Sequence, residues 1–592
     1  MKTAVVLLLA LAVPLYAPAQ NPPTMFPPVR GTHELVGAAN NFEVEAGYRI
    51  LQQGGNAVDA AAATILAASV TELSRFGLGG EIPMLIKMSG KPVVAISGIG
   101  IAPAKATVEY FKTRSPEPWE TAGNMPPVPM EGIKSAITPG VFGGVILALQ
   151  QFGTKSFAEV AEPAIEYAEQ GFPMPEEFGK MLVSYHDTIA LWPVSAAFFY
   201  PNGAITKRGD IFREPAYAKT LRTLAAVEKK AHGNRVKKLD AVRDYFYKGP
   251  VAREIADFND KNGGLISFDD MANTKAFSDA AVTGTYRGYE IHKPGFWTQG
   301  PVMIEALNIL EGFDLKAMGH NSPQYLHTVV EAVKLAFADR DQYYGDPRFT
   351  KIPEDTLLSK DYAAERRKLI DPQHASMEHR PGNVAPKTEM PTATQQANGP
   401  VQDTTSVDIV DRFGNAISCT PSGAWLPSVI AGSTGIPLTT RLQSFVMTPG
   451  HPNQLAPGKR PRVTLSPTLV TRGGQLELVM STPGGDNQDQ AMLQVLLNVI
   501  EFGMTPQEAV EAPRFQTEHF YSSFGNHEFV PGRLVLENRI PQAAADALTA
   551  LGHHVTVSGP WSNSSAPVVI QVHDGVLDGG ADIRRARFVF GH

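Results

Sequence analysis

Two threonines follow an aspartate in the second half of the 592-residue chain, at Asp403-Thr404-Thr405. A polar, proline-spotted run at 375–401 precedes them, and an alternating, strand-like segment follows at once. A threonine hydroxyl is a poor nucleophile unless a base lies beside it. If the chain cut itself before Thr404, the new α-amine could serve as that base. A serine- and threonine-rich loop that simply enters a strand is the alternative interpretation.

Acyl transfer also requires hydrogen-bond donors for the negative charge that develops on the attacked oxygen. Pro483-Gly484-Gly485 lies between a predicted strand and the start of a predicted helix. Two consecutive glycines present their backbone N–H groups without side-chain obstruction. An ordinary strand-to-helix turn has the same composition. The sequence contains no Gly-x-Ser-x-Gly motif of the kind that marks a serine hydrolase elbow.

The segments that must position these residues alternate between helical and strand-like patterns. Gly414-Asn415 predicts the tip of a hairpin, and Asn56 predicts a helix N-cap. We predict helices at 42–53, 57–70, 142–151 and 490–502, and strand pairs at 84–87 with 93–97, 406–410 with 416–420, and 463–470 with 476–481. Strand pairs between helices, without a βαβ repeat, indicate an α+β fold of stacked antiparallel sheets flanked by helical layers.

The bulk composition is that of an ordinary soluble protein, with 43% hydrophobic and 19% charged residues and a net charge of −7. The length suffices for two or more domains or for one large intertwined unit. No long basic block occurs, which argues against nucleic acid as a partner. Cys419 is the only cysteine, so we predict no intramolecular disulfide and a small core residue at that position. No zinc site, other metal site or cofactor is predicted.

The N-terminus has the pattern of a secretory signal peptide. Lys2 precedes a short apolar run at 4–13, and the small residues Ala17 and Ala19 follow. We predict a signal peptide at 1–19 that is cleaved after Ala19, with export to the periplasm or the exterior. A retained anchor is the alternative, although the run is short for a bilayer. No other stretch reaches transmembrane length, and a later lipid or wall association stays open.

The ordered motifs resemble those of the γ-glutamyltransferase (glutathione hydrolase) family of N-terminal-nucleophile hydrolases. The resemblance extends from about residue 34 to the C-terminus. The matching stretches are residues 54–60, 77–80, 102–104, 286–289, 338–347, 403–405, 410–411, 414–416, 465–468, 483–485 and 494–504. The resemblance implies an αββα four-layer fold. It also implies a precursor that cleaves itself before Thr404, into a large subunit at 20–403 and a small subunit at 404–592 that stay together.

The resemblance also implies roles for individual residues. Asp403 would precede the cut, and Thr404 matches the family's nucleophile, with its own α-amine as the base. Gly484 and Gly485 match the oxyanion donors. Ser422 falls where the family places a hydroxyl that assists the nucleophile. Water would resolve the acyl-enzyme by hydrolysis, or an amine would do so by transpeptidation.

Thr405, next to the nucleophile, is a further candidate catalytic residue. A small-molecule amide or peptide is the expected substrate.

The positions that recognise the glutamyl head in the family are altered here. Ile99 lies where an arginine usually binds the substrate α-carboxylate. The acidic pair for the α-amine falls at Gln443-Ser444, and the serine pair falls at Val463-Thr464. Loss of a bidentate arginine–carboxylate contact should cost several kcal/mol of recognition.

Three arginines could replace the missing carboxylate contact from another direction: Arg441, Arg462 or Arg75. For each of them a structural or surface ion pair is the alternative. Trp425 could line the pocket or belong to the core. Gln443, Ser444, Thr464, Arg462 and Arg441 are therefore the candidate substrate-binding residues.

Three functions remain open from the sequence. The first is a self-processing amidohydrolase or acyltransferase that cleaves γ-glutamyl amides such as glutathione through Thr404. The second is an acylase or small-amide hydrolase without γ-glutamyl specificity. The third is a non-catalytic secreted binding protein, and the intact Thr404, Gly484 and Gly485 argue against it.

Overall fold

A computed structural model describes residues 24–120, 125–392 and 403–592, so the predicted signal peptide lies outside the described residues. The strands, numbered in chain order, are β1 (Val29–Gly31), β2 (Leu35–Ala38), β3 (Ile82–Lys87), β4 (Val93–Gly98), β5 (Phe172–Pro173), β6 (Ile211–Phe212), β7 (Phe277–Ala280), β8 (Val282–Tyr286), β9 (Tyr289–Lys293), β10 (Val407–Val410), β11 (Ala416–Cys419), β12 (Thr468–Arg472), β13 (Gln475–Ser481), β14 (Phe515–Thr517), β15 (Arg533–Glu537), β16 (His554–Ser558), β17 (Val568–His573), β18 (Val576–Ala581) and β19 (Phe588–Gly591).

The helices cover the two outer faces of the sheets, and those at 157–273 share one core with α1 and α2. In chain order they are α1 (Asn41–Gln52), α2 (Ala57–Thr71), α3 (Val108–Thr113), α4 (Val141–Phe152), α5 (Phe157–Gln170), α6 (Glu176–Ser184), α7 (His186–Ala190), α8 (Pro193–Phe199), α9 (Pro215–Lys230), α10 (Arg235–Tyr247), α11 (Pro250–Lys261), α12 (Phe268–Asn273), α13 (Pro301–Leu310), α14 (Leu315–Met318), α15 (Pro323–Tyr343), α16 (Glu354–Leu357), α17 (Lys360–Arg367), α18 (Gln488–Ile500), α19 (Pro506–Glu511) and α20 (Gln542–Ala550).

Two seven-stranded antiparallel sheets form the centre. The first sheet has the order β1-β18-β17-β13-β12-β9-β8, and the second sheet has the order β19-β2-β10-β11-β3-β4-β7. A three-stranded sheet, β14-β15-β16, and the pair β5-β6 lie outside this centre. We call the Asp403–Thr404 peptide bond, where the cut is predicted, the junction. Each large sheet contains strands from both sides of it in the sequence.

The apolar side chains divide into layers that match the sheets. Leu85, Val410, Leu469, Val479 and Ile570 share a core that contains side chains from both large sheets. Helices α1, α2, α4 and α5 join one core with β10 and β11, and helices α13, α15 and α18 join another with β12 and β13. The predicted αββα arrangement of two stacked sheets between helical layers is therefore confirmed.

The hairpin β10-β11 forms where the sequence predicts it. The side chain of Asp411 accepts hydrogen bonds at 2.9 Å from the amides of Phe413 and Asn415, and Gly414 adopts the positive φ of 77° that the turn requires. The other Asp411 oxygen accepts the Ala57 amide at 2.8 Å, at the start of α2. One carboxylate thus closes the hairpin that follows the junction and fastens it to the helical layer.

The strand predicted at 463–470 begins later, at Thr468. The residues before it form a loop. In this loop Val463 makes a single bridge to Thr298, and the Ser466 hydroxyl donates to Asp489 at 2.7 Å. Pro467 has no N–H for a ladder, which explains the late start. Sequence periodicity alone also missed β18, although that strand pairs with β17 along its whole length.

Cys419 is buried, as predicted for a core residue. Among the described residues, no helix is both long and apolar enough to cross a bilayer.

Candidate active site

Thr404 is buried three residues before the start of β10, and it makes a single antiparallel bridge with Ser422. Its Oγ1 lies 3.1 Å from the Ser422 Oγ and 3.4 Å from the Nε2 of Gln488. The Thr404 nitrogen is an amide that donates to the Oδ1 of Asp403 at 2.8 Å. A free amine at this position therefore requires that the bond to Asp403 be broken.

The Asp403 carboxylate is held by two arginines. The Nε of Arg75 donates to its Oδ2 at 2.6 Å, and Arg585 makes a second ion pair with the same oxygen. Burial opposes ionisation, but the Arg585 and Arg75 charges prevail and hold the pKa of Asp403 below its usual value. A cavity of about 350 Å³ adjoins these three residues. Arg75 is thus an ion-pair residue of the junction.

The backbone carbonyl of Asp403 has two side-chain donors. The Ser422 hydroxyl donates to it at 2.7 Å, and the indole Nε1 of Trp425 donates to it as well. Trp425 is only 3% exposed. The sequence left open whether Trp425 lines the pocket or belongs to the core. It is buried, and it also contacts the Asp403 carbonyl directly.

Gly484 and Gly485 connect β13 to α18. Their φ angles are 124° and 56°, in the region that favours glycine. A Cβ on Gly484 would lie 2.3 Å from the Ser565 Oγ, so the loop requires glycine there. Across residues 24–120, 125–392 and 403–592, neither glycine amide has a hydrogen-bond acceptor. Helix α18 begins three residues later with Gln488, whose side chain contacts Thr404. The two amides without an acceptor therefore lie on the loop that leads into this residue.

Arg441 lies beside the same threonine through Ser422. Its Nη2 donates to the Ser422 Oγ at 3.0 Å and its Nε donates to Glu81 at 2.5 Å. The guanidinium carbon lies 4.3 Å from the centre of the Trp425 ring. The remaining nitrogen, Nη1, is buried and has no partner among the described residues. Arg441 is thus anchored by one carboxylate and keeps one unused donor.

Arg462 supports the glycine loop. Its Nη2 donates to the Ser523 hydroxyl at 2.8 Å, and that hydroxyl donates to Asp486 at 2.5 Å, one residue after Gly485. Arg340 forms an ion pair with Asp486 from the other side, at 2.5 Å. Burial, together with the nearby charge of Arg340, lowers the pKa of Arg462 to about 9. Arg462 therefore contacts the loop through Ser523, not Thr404.

The other sequence-predicted site residues are buried around this centre. Gln443 donates to the carbonyl of Met130 at 3.0 Å. The hydroxyls of Ser444, Thr464 and Thr405 have no partner among the described residues. Several polar groups near these positions are thus available to hydrogen-bond to water or to a ligand.

Three contacts of the site were missed from the sequence. Gln488 reaches Thr404, Glu81 anchors Arg441, and Arg585 pairs with Asp403. The only available signal was for Gln488, a polar residue directly after a glycine pair at a helix start. Glu81 and Arg585 lie 360 and 182 residues from their partners, and nothing in the local pattern distinguishes them from surface charges.

One group of metal-ligating side chains occurs in the described ranges, at His327, Glu331 and His553. The two histidine rings are hydrogen-bonded through nitrogens 2.9 Å apart. Glu331 already forms ion pairs with Lys334 at 2.7 Å and Arg380 at 2.9 Å. Two cations next to the only carboxylate disfavour a metal ion, so the group fits a structural hydrogen-bond network.

Comparisons with known proteins agree with this geometry. A family model described as gamma-glutamyltranspeptidase matches residues 44–591. The glutathione hydrolase proenzyme of Escherichia coli is 33% identical over 95% of this chain and 92% of its own length. The acylase ACY 1 proenzyme of a Pseudomonas species is 33% identical over 94% of this chain and 92% of its own length.

A solved cephalosporin acylase from Bacillus halodurans is also similar in structure. It is 29% identical and superposes with a TM-score of 0.82, over 98% of this chain and 100% of that chain. The match to the family model covers more than half of the chain, and the relatives are similar along nearly their whole length. The chain therefore belongs to the γ-glutamyltranspeptidase family and is an enzyme of the N-terminal-nucleophile hydrolase type.

Proposed function

We propose that the chain cuts itself between Asp403 and Thr404, and that Thr404 then hydrolyses an amide bond through an acyl-enzyme. The observation that carries this proposal is the position of the Thr404 Oγ1, which lies 3.1 Å from the Ser422 hydroxyl. The loop of Gly484 and Gly485, with its unused amides, starts the helix that contacts it. These contacts support the proposal that Thr404 is the nucleophile, Ser422 the assisting hydroxyl, and the glycine amides the oxyanion donors.

In the proposed mechanism the freed α-amine of Thr404 accepts the proton of its own hydroxyl, which attacks the substrate carbonyl. The amides of Gly484 and Gly485 bind the resulting oxyanion. The amine then returns the proton to the leaving nitrogen, and an acyl ester remains on Thr404. Water hydrolyses this ester, or an acceptor amine takes the acyl group.

The acyl half of the substrate is proposed to carry a carboxylate, as a γ-glutamyl group does. Arg441 offers an unused Nη1 beside Ser422, and charge-assisted hydrogen bonds to such a group are strong. Glu81, the carboxylate that Arg441 contacts, and Asp403, the residue before Thr404, are both already paired with arginines. No unpaired carboxylate among these would bind the α-ammonium of a glutamyl group.

Arg441 offers a donor for a carboxylate, but Glu81 and Asp403 offer no free acceptor for an ammonium group. This difference favours a second candidate, an acylase that accepts a dicarboxylic acyl group without an α-ammonium. The altered positions Ile99, Gln443 and Ser444 point in the same direction, and relatives are named both glutathione hydrolase and acylase. A panel of three p-nitroanilides separates the candidates. The γ-glutamyl and glutaryl anilides differ only in the α-amino group, and the valeryl anilide replaces the carboxylate of the glutaryl group with a methyl.

We expect both acidic anilides to be hydrolysed, and the valeryl anilide to have a kcat/KM lower by about 10- to 100-fold, since one charge-assisted hydrogen bond contributes about 1.5–3 kcal/mol. A faster γ-glutamyl anilide supports the first candidate, and a faster glutaryl anilide supports the acylase. Equal rates for all three would refute the carboxylate contact. Thr404→Ala should remain a single uncut chain without turnover, and an uncut wild type would refute the nucleophile assignment.

A further inference from the structure

We propose that Trp425 is a catalytic residue of self-cleavage, because its indole N–H donates to the carbonyl oxygen that Thr404 would attack. The inference rests on the proposed cut between Asp403 and Thr404. The Asp403 carbonyl oxygen accepts two side-chain hydrogen bonds, from the Trp425 Nε1 and from the Ser422 Oγ at 2.7 Å. The enzyme would thus have one oxyanion site for cutting itself and a second, at the glycine loop, for its substrate.

The indole is held rigidly in this position. The Arg441 guanidinium stacks on its face at 4.3 Å, and the ring of Phe524 meets it edge-on at 5.8 Å between centroids. Arg441 is itself fixed by Glu81 through a 2.5 Å ion pair. A donor that is already oriented needs no reorganisation when charge develops on its acceptor, which is the property an oxyanion site requires. The Arg441 cation adds positive potential next to the same oxygen.

The Thr404 and Ser422 hydroxyls form a hydrogen-bonded chain that ends at the Asp403 carbonyl, and this chain orients the Thr404 hydroxyl proton. When Ser422 donates to the Asp403 carbonyl, the Thr404 hydroxyl, 3.1 Å away, donates to Ser422. In the cleavage step the Thr404 Oγ1 forms a bond to the Asp403 carbonyl carbon, and the oxygen of that carbonyl becomes negative. The C–N bond then breaks, and the proton from the hydroxyl ends on the Thr404 nitrogen. Water hydrolyses the resulting ester, which leaves a main-chain α-carboxylate at Asp403 and restores the Thr404 hydroxyl.

The negative charge falls on the same oxygen in both steps, because ester formation and ester hydrolysis each pass through a tetrahedral intermediate at the Asp403 carbon. The donors at Ser422 and Trp425 would act in both. The oxyanion of the substrate would lie at the glycine loop. After the cut, it would therefore not require Ser422 or Trp425 as hydrogen-bond donors. Removal of the indole N–H should therefore slow the maturation of the precursor.

The test follows self-cleavage after synthesis in a cell-free system, with gel separation over time and N-terminal sequencing of the small piece. Trp425→Phe keeps an aromatic ring for Arg441 and Phe524 but removes the N–H. We expect cleavage to slow by about 100-fold, the usual effect of losing one oxyanion donor. Trp297→Phe is the matched control, because Trp297 is equally buried and its indole makes no hydrogen bond within the described residues. It should cleave within a few-fold of wild type.

Folding is checked separately in the Thr404→Ala background, where thermal midpoints of both tryptophan variants are compared. If Trp425→Phe unfolds there, benzothienylalanine at position 425 replaces the N–H by sulfur in a ring of nearly the same shape. Cleavage at the wild-type rate in either replacement would overturn the proposal. A wild type that stays uncut would instead refute the proposed function, so the two failures are distinguishable.

Discussion

Two aspartate–arginine ion pairs in this protein have the same N–O distance, but one pair is buried and the other is exposed. The Arg75 Nε lies 2.6 Å from Asp403, with side chains 8% and 9% exposed. The Arg30 Nε lies 2.6 Å from Asp578, with side chains 61% and 26% exposed. Breaking a buried pair costs about 3–5 kcal/mol, whereas an exposed pair contributes about 0–1 kcal/mol. Asp403→Asn should therefore destabilise the uncut chain far more than Asp578→Asn.

Both substitutions are made in the Thr404→Ala background, so that every sample is a single chain. Arg75 keeps its contact with Glu177, so we expect Asp403→Asn to cost about 3 kcal/mol, near the lower end for a buried pair. Urea and thermal unfolding, followed by circular dichroism, give the comparison. Because the folded-state pKa of Asp403 is depressed, its contribution is present above a pH of about 4 and is lost as the pH falls through the depressed value. Equal losses for the two variants at pH 7 would refute this reasoning.

Two further predictions concern the centre of the fold and the glycine loop. Burial raises the pKa of Asp408 to about 7, so its stabilising contribution is complete below a pH of about 4 and is lost as the pH rises through about 7. In the Thr404→Ala background, where the sample is a single uncut chain, Asp408→Asn should remove that fall, which amounts to about 4 kcal/mol. Unfolding free energies measured from about pH 4 to 8 would show an unchanged slope if this is wrong. Gly484→Ala forces a Cβ to within 2.3 Å of the Ser565 hydroxyl, whereas a Cβ on Gly485 would meet only Phe524, at 3.4 Å. We expect a larger drop in thermal midpoint for Gly484→Ala than for Gly485→Ala, and the reverse order would contradict the loop geometry.

The sequence contained enough information for the layers and for part of the site. The hairpin after Thr404 was predictable because its turn chemistry, at Asp411 and Gly414, is local. The turn at the glycine pair was predictable because Pro483-Gly484-Gly485 is local turn chemistry between a strand and a helix.

The surroundings of the junction were not predictable from local pattern. Arg585 reaches Asp403 across 182 residues of chain, and Glu81 reaches Arg441 across 360. Such pairings depend on how two sheets stack, and periodicity contains no information about stacking. The orientation of Trp425 was also out of reach, since an indole in a loop can pack in either direction. The altered glutamyl positions were visible, but only the contacts show that Arg441 and Arg462 each keep a buried Nη1 without a partner among the described residues, and that Arg441 is the one that contacts Ser422.

Each large sheet combines strands from before and after the Asp403–Thr404 bond, and this affects how the protein could fold once that bond is cut. In the second sheet β2 lies between β19 and β10, so a strand from before the junction separates two strands from after it. A cut at the proposed bond would leave two chains that share both sheets, and neither could refold without the other. Renaturation would change from a unimolecular event to an encounter between two aggregation-prone pieces. If the proposed cut occurs, folding would therefore have to come first and cutting second. The cut enzyme would then owe its lifetime to slow unfolding rather than to a reversible folding equilibrium.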